Sequence, residues 1–191
     1  MLQVIVLAGG RGARMGGVDK AQVTLDGVRL VDHLIGALAG LPVVVVSPHL
    51  SLDVPVVSED PPFGGPVAGI AAGAAALESP EFVGVLSVDA PDSPALLPLL
   101  VHALRADPEA DVAVVRSTDG QVQPLCAVWR VGGLRRSLAR LDTVRDQAAK
   151  KLLRAADRVI EVPGDGAERD YDTLAELQRR GSAGLPRVSG R

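Results

Sequence analysis

The chain is poor in cysteine, in aromatic residues and in net positive charge, and each shortage excludes something. The single cysteine, Cys126, rules out an intrachain disulfide and fits a reducing compartment. Aromatic residues make up 2% of the chain, which leaves few platforms on which single-stranded bases could stack. The formal net charge is -3, so the basic face that nucleic-acid binding needs is not expected. Long apolar runs are missing as well. Residues 2–8 are apolar apart from Gln3 but lack a charged segment ahead of them, and the stretch is too short for a membrane span or a leader. Other apolar stretches are broken by Gly, Pro or charge. The chain therefore reads as cytoplasmic, with neither a membrane nor nucleic acid as partner.

What is present is a large supply of core residues. Hydrophobic residues are 47% of the 191, and Ala, Val, Leu and Gly must do most of the packing. That length suits one domain. We place it at residues 1–181, with the Gly/Ser/Pro-punctuated segment 182–191 as a disordered tail.

Apolar runs bounded by glycine read as buried strands, and apolar residues at helical spacing read as helices. Strands are expected at 2–8, 43–46, 54–57, 82–88, 111–115, 124–129 and 159–162. Helices are expected at 29–39, 66–77, 94–105, 132–141, 146–155 and 173–180. Strands alternating with helices indicate an α/β fold with a mainly parallel central sheet flanked by helices. Ligands of such sheets bind at the carboxyl ends of the strands, where Gly9-Gly10 and Asp89 both fall.

The segment Leu7-Ala8-Gly9-Gly10-Arg11-Gly12-Ala13-Arg14-Met15-Gly16-Gly17-Val18-Asp19-Lys20 is the densest signal. Five glycines within residues 9–17 let backbone N–H groups approach an anion, and Arg11, Arg14 and Lys20 add positive charge. Two phosphate motifs are excluded. The dinucleotide fingerprint fails because Met15 stands where its last glycine belongs, and the P-loop fails because Ala21 follows Lys20. A phosphate cradle of another kind remains, against the plainer reading of a surface loop with incidental arginines.

This segment resembles the signature of the molybdenum cofactor guanylyltransferase family, within the Rossmann-like nucleotidyltransferases. Glu59-Asp60-Pro61-Pro62-Phe63-Gly64-Gly65-Pro66, Ser87-Val88-Asp89-Ala90-Pro91 and Asp170-Tyr171-Asp172-Thr173-Leu174-Ala175-Glu176-Leu177 resemble further family segments in the right order. The resemblance implies a single-domain Rossmann-like nucleotidyltransferase fold. It also implies transfer of GMP from GTP to the terminal phosphate of molybdopterin, with Mg²⁺ as cofactor. Molybdenum-insertion proteins and molybdoenzymes would be its partners.

On that resemblance Lys20, Arg14 and Asp89 are the catalytic candidates. Leu7, Ala8, Gly9, Gly10, Gly12, Lys20, Ser47, Asp60 and Asp89 are the nucleotide-binding candidates, and Asp89 and Asp172 the metal ligands. Each has a plainer alternative. Lys20 could be solvated, Asp89 a turn residue before Pro91, Asp60 a turn residue before Pro61-Pro62 and Ser47 a strand-end cap. Asp172 could cap the helix that follows it. At Ser47 and Asp172 the chain departs from the Asn that the family prefers. His33 and Cys126 read as packing residues, and Arg145, Lys150, Lys151 and Arg154 as a solvated helix face. Competing functions are a nucleotidyltransferase for CTP or a sugar phosphate, and a nucleotide-binding regulator without catalysis.

Overall fold

The computed structural model describes residues 1–9 and 19–185. In chain order the elements are β1 (Leu2–Leu7), β2 (Thr24–Leu25), β3 (Val28–Arg29), α1 (Leu30–Ala37), β4 (Val43–Val46), β5 (Val56–Val57), α2 (Pro66–Ala75), β6 (Phe82–Ser87), α3 (Leu97–Ala106), β7 (Val112–Arg116), β8 (Val122–Arg130), α4 (Val131–Ala139), α5 (Ala149–Arg154), β9 (Val159–Pro163), α6 (Leu174–Gln178) and β10 (Ala183–Gly184). Two 3₁₀ turns, Lys20–Gln22 and Ser93–Leu96, interrupt this series.

The main sheet runs β5-β4-β1-β6-β8-β7-β9, and β8 alone runs antiparallel to its neighbours. Alternate side chains feed two cores. Val4, Val6, Phe82 and Leu86 meet Leu30, Leu34, Leu97 and Leu100 of α1 and α3 on one face. Ile5, Val83, Val85 and Trp129 meet Val67, Ile70, Leu134 and Leu152 of α2, α4 and α5 on the other. Burial on both faces explains why the strands read as unbroken apolar runs. The chain passes from β1 to β4 and β5 on one side, then returns to β6 on the other. The strand order thus reverses between β1 and β6, and a crevice opens there beyond the strand ends.

Several sequence expectations need correction. The strand expected at 124–129 begins at Val122 and is antiparallel to both β6 and β7. The helix expected from residue 146 starts at Ala149, because Asp146 sits at φ 55° and donates its backbone N–H to Gly64 O at 2.7 Å. The tail cannot begin at 182. β10 pairs antiparallel with β2, Asp26 N donates to Ser182 O at 2.7 Å, and Ser182 N donates to the Asp26 carboxylate at 2.8 Å. β2 and β3 were not expected. They flank Asp26-Gly27, both at positive φ, a two-residue hairpin turn. No helix among the described residues is long and apolar enough to cross a membrane.

Candidate active site

β1 ends at Leu7, and Ala8 is tied to β4 by its backbone N–H to Val46 O at 3.0 Å. Gly9 follows, at the rim of the crevice. Gly10, Gly12 and Arg14 lie outside the described residues. The chain re-enters at Asp19, whose carboxylate accepts from Ala21 N at 3.0 Å and caps the turn Lys20–Gln22. Ala21, the middle residue of the turn, and Val23, just after it, are fully buried and pin the turn to the core. This explains the Asp19-Lys20 pair in local terms: the aspartate fixes the turn and the turn presents the lysine.

Lys20 reaches back over the sheet. Its Nζ donates to Asp172 Oδ1 at 2.9 Å and to Asp89 Oδ2 at 3.2 Å, and lies 3.5 Å from Tyr171 O. The ammonium is mostly buried, with 17% of the side chain exposed. Burial works to lower its pKa, but the Asp89 and Asp172 carboxylates outweigh burial and hold it above its ordinary value.

The two aspartates are distant in the chain, one near its middle and one near its C-terminal end, and the backbone joins them. Asp89 follows β6, where Val88 N donates to Leu7 O at 3.0 Å, and Asp89 O accepts from Tyr171 N at 2.9 Å. Tyr171 is buried in the core beside Leu177, which anchors the 170–172 segment. The cap of α6 is Thr173, not Asp172. Thr173 Oγ1 accepts from Glu176 N at 3.2 Å, and Glu176 Oε2 accepts from the backbone N–H groups of Asp172 and Thr173. The Asp172 carboxylate takes no part in that cap and accepts from Lys20. Asp170 is half-buried beside this group. Burial, followed by the charges of Asp89 and Asp172, pushes its carboxyl up against the opposing pull of Lys20.

The arrangement can hold a cation. Two carboxylate oxygens converge on one point, which in this structure the Lys20 ammonium occupies. Hard oxygen donors of this kind suit Mg²⁺, whose remaining ligands in such sites are usually phosphate and water oxygens. Among the described residues there is no group of three or more His, Cys, Asp or Glu side chains that could hold a metal by themselves.

Comparison with known proteins decides the family. Residues 4–159 match the family described as the MobA-like NTP transferase domain. The chain belongs to this family. A curated molybdenum cofactor guanylyltransferase from Methylibium petroleiphilum is 40% identical over 129 residues, 63% of each chain. One from Bordetella petrii is 32% identical over 188 residues, 92% of this chain and 94% of its own. In fold, the chain is similar to the molybdopterin-guanine dinucleotide biosynthesis protein A from Archaeoglobus fulgidus. The TM-score is 0.73 at 20% identity, with 95% of this chain and 97% of that one covered.

The other candidate residues of this family member fall around the same crevice in different states. Ser47 ends β4, is buried, and accepts from His49 N at 3.3 Å, the geometry of a local cap. Asp60 is exposed on the loop that leaves the carboxyl end of β5. That loop is braced from afar. Arg145 Nη1 donates to Pro61 O at 2.5 Å, and Glu59 Oε1 accepts from Gly64 N at 3.1 Å. A Cβ on Gly64 would stand 2.9 Å from both Arg145 Nη1 and the Ala68 Cβ, so only glycine allows the guanidinium to pass. Sequence reasoning placed Arg145 on a solvated helix face. It lies ahead of α5 and grips a segment 84 positions away, and no local pattern reports such a contact. Sequence reasoning also assigned no role of its own to Asp170 or Phe63 and left out His49, whose ring meets that of Phe63 at 5.7 Å. The signal for Asp170 was its place two residues before Asp172, and for Phe63 the rarity of aromatics. His33 and Cys126 are structural: His33 Nε2 contacts Leu25 O at 2.8 Å, and Cys126 is buried with its thiol pushed up to about 12.

Proposed function

We propose that this chain is a molybdenum cofactor guanylyltransferase. It transfers GMP from GTP to the terminal phosphate of Mo-molybdopterin in the cytoplasm, releases pyrophosphate and forms molybdopterin guanine dinucleotide. The carrying observation is the Lys20 ammonium held between Asp89 and Asp172 beside the crevice where the strand order reverses. The names of the relatives support the substrates.

In this reading Asp89 and Asp172 hold Mg²⁺, which when bound neutralises phosphate charge. Lys20 leaves the carboxylates and lies against the α-phosphate, where its ammonium meets the charge that grows on the equatorial oxygens during in-line attack. Backbone N–H groups of the glycine loop hold the triphosphate, and Arg14 carries the β- and γ-phosphates toward release. The Asp60 carboxylate accepts from the N1 and N2 donors of guanine. The attacking phosphate is already ionised at neutral pH, so no general base is needed. Positioning and charge neutralisation supply the rate. The product passes to molybdoenzymes.

A thermal-shift panel of GTP, CTP, ATP and UTP with Mg²⁺ tests the reading. GTP should raise the Tm most, because a ligand at 100 times its Kd adds about 2.7 kcal/mol. A larger shift with CTP would replace guanine by cytosine, and no shift with any of the four would remove the nucleotide reading.

A further inference from the structure

A small cavity adjoins the site on the side away from Asp60. It measures about 140 Å³ and shares Asp89 with the crevice; Gln123, Pro124, Cys126, Glu168 and Asp170 also line it. It is too small for a nucleoside triphosphate, whose pockets run to several hundred Å³, but has room for one flat fused ring.

Glu168 is the residue that calls for explanation. It is 4% exposed, and the loop before it is shaped to its carboxylate: Gly166 N donates to Oε2 at 2.9 Å, and a Cβ on Gly164 would come within 2.5 Å of the carboxylate atoms. Its Oε1 has no donor among the described residues. Withdrawing most of a carboxylate from water is costly, and this oxygen, which is not among the fully enclosed atoms left without a partner, can take its donor only from what fills the cavity. The neighbouring groups make it worse, because Asp89 and Asp170 share the cavity wall. Arg169, the adjacent cation, is turned onto the Tyr171 ring at 5.7 Å. Cys126 stays a neutral thiol, raised by burial and by Glu168 and Asp165, and so adds no charge to the wall. Such a wall favours a group rich in hydrogen-bond donors, and the size of the cavity favours a flat one.

We propose that Glu168 selects the acceptor: its carboxylate accepts the adjacent N–H donors of a 2-amino-4-oxo-pyrimidine edge, as carried by a pterin ring seated in this cavity. The assignment rests on the guanylyltransferase reading of the site. It adds where the ring lies and which residue reads it. The cavity's contact with Asp89 places a phosphate attached to the ring system on the side of the metal candidates. Guanine carries the same donor edge, so the test must separate the two ligands.

The probes are 6-hydroxymethylpterin and 6-hydroxymethyllumazine, in which an oxygen replaces the 2-amino group, titrated by fluorescence into the intact protein. The wild type should bind the pterin about tenfold or more tighter than the lumazine, since a carboxylate loses a donor and faces a lone pair instead. Glu168→Gln should lose that preference and leave the GTP Kd within twofold of wild type. Equal binding of the two probes, or no saturable binding of the pterin, overturns the proposal, and the wild type alone decides this if the variant does not fold. A Glu168→Gln variant that loses GTP affinity also overturns it, because the cavity would then hold guanine. Failure of the nucleotide panel with the pterin preference intact would instead count against the guanylyltransferase reading and leave Glu168 standing.

Discussion

Replacing Lys20 by Ala separates the ion pairs the lysine makes at rest from the catalytic role proposed for it. At rest, the ammonium neutralises Asp89 and Asp172 at 3.2 and 2.9 Å, with side chains that are 22% and 39% exposed. These groups are partly withdrawn from water, with the Lys20 side chain 17% exposed, so the pairs contribute somewhat more than the about 0–1 kcal/mol of fully exposed ones, and the loss of fold stability should be modest. On the proposed mechanism the same group faces an α-phosphate that gains charge only as attack proceeds. Removing one such contact costs about 10²–10³ in rate, roughly 2.7–4 kcal/mol. The catalytic effect therefore dominates. A third consequence follows from the geometry. Without the ammonium, Asp89 and Asp172 lose the cation that sits between them, and Mn²⁺ in the absence of nucleotide should bind Lys20→Ala more tightly than wild type. Single-turnover kinetics at saturating GTP, with GTP and Mn²⁺ titrations, read all three quantities. A variant that kept its saturated rate and lost only GTP affinity would refute the reasoning, because Lys20 would then bind ground and transition states alike.

Asp89→Asn should lower turnover by about 10²-fold or more while far-UV circular dichroism stays native, since the amide is a poor metal ligand and the backbone bond to Tyr171 N survives. Near-wild-type turnover would take Asp89 out of the metal site. Arg145→Met should raise the KM for GTP about tenfold with kcat little changed, because it frees Pro61 O and loosens the loop that carries Asp60. An unchanged KM would make that brace merely structural. Cys126 should resist thiol reagents in the native protein at pH 8 and react fully in urea: a thiol pushed up to about 12 stays protonated throughout the working range. Rapid native labelling would contradict that placement.

The parallel strands were legible because burial on both faces leaves unbroken runs such as Val43–Val46. The antiparallel course of β8 was not, since pairing direction leaves no mark on composition. The hairpin around Asp26-Gly27 carried a readable turn signal, but its strands are two residues each and fall below any periodic pattern. In the site, Lys20, Asp89 and Asp172 could be named from motifs, and the structure brings the three together. That Thr173 takes the helix cap could not be decided from spacing, because Asp172 and Thr173 are both capping residue types. Glu168 and Arg145 were beyond reach for a shared reason. Their roles come from what packs around them, and sequence neighbours do not report it.

The central claim is the transfer of GMP to a pterin phosphate, and the direct measurement follows the α-phosphate of labelled GTP with purified protein, Mg²⁺ and Mo-molybdopterin. The account predicts label in molybdopterin guanine dinucleotide with one pyrophosphate released per transfer, and no label transferred from CTP. Label that appears only in free GMP, or that moves from CTP in preference to GTP, would contradict it.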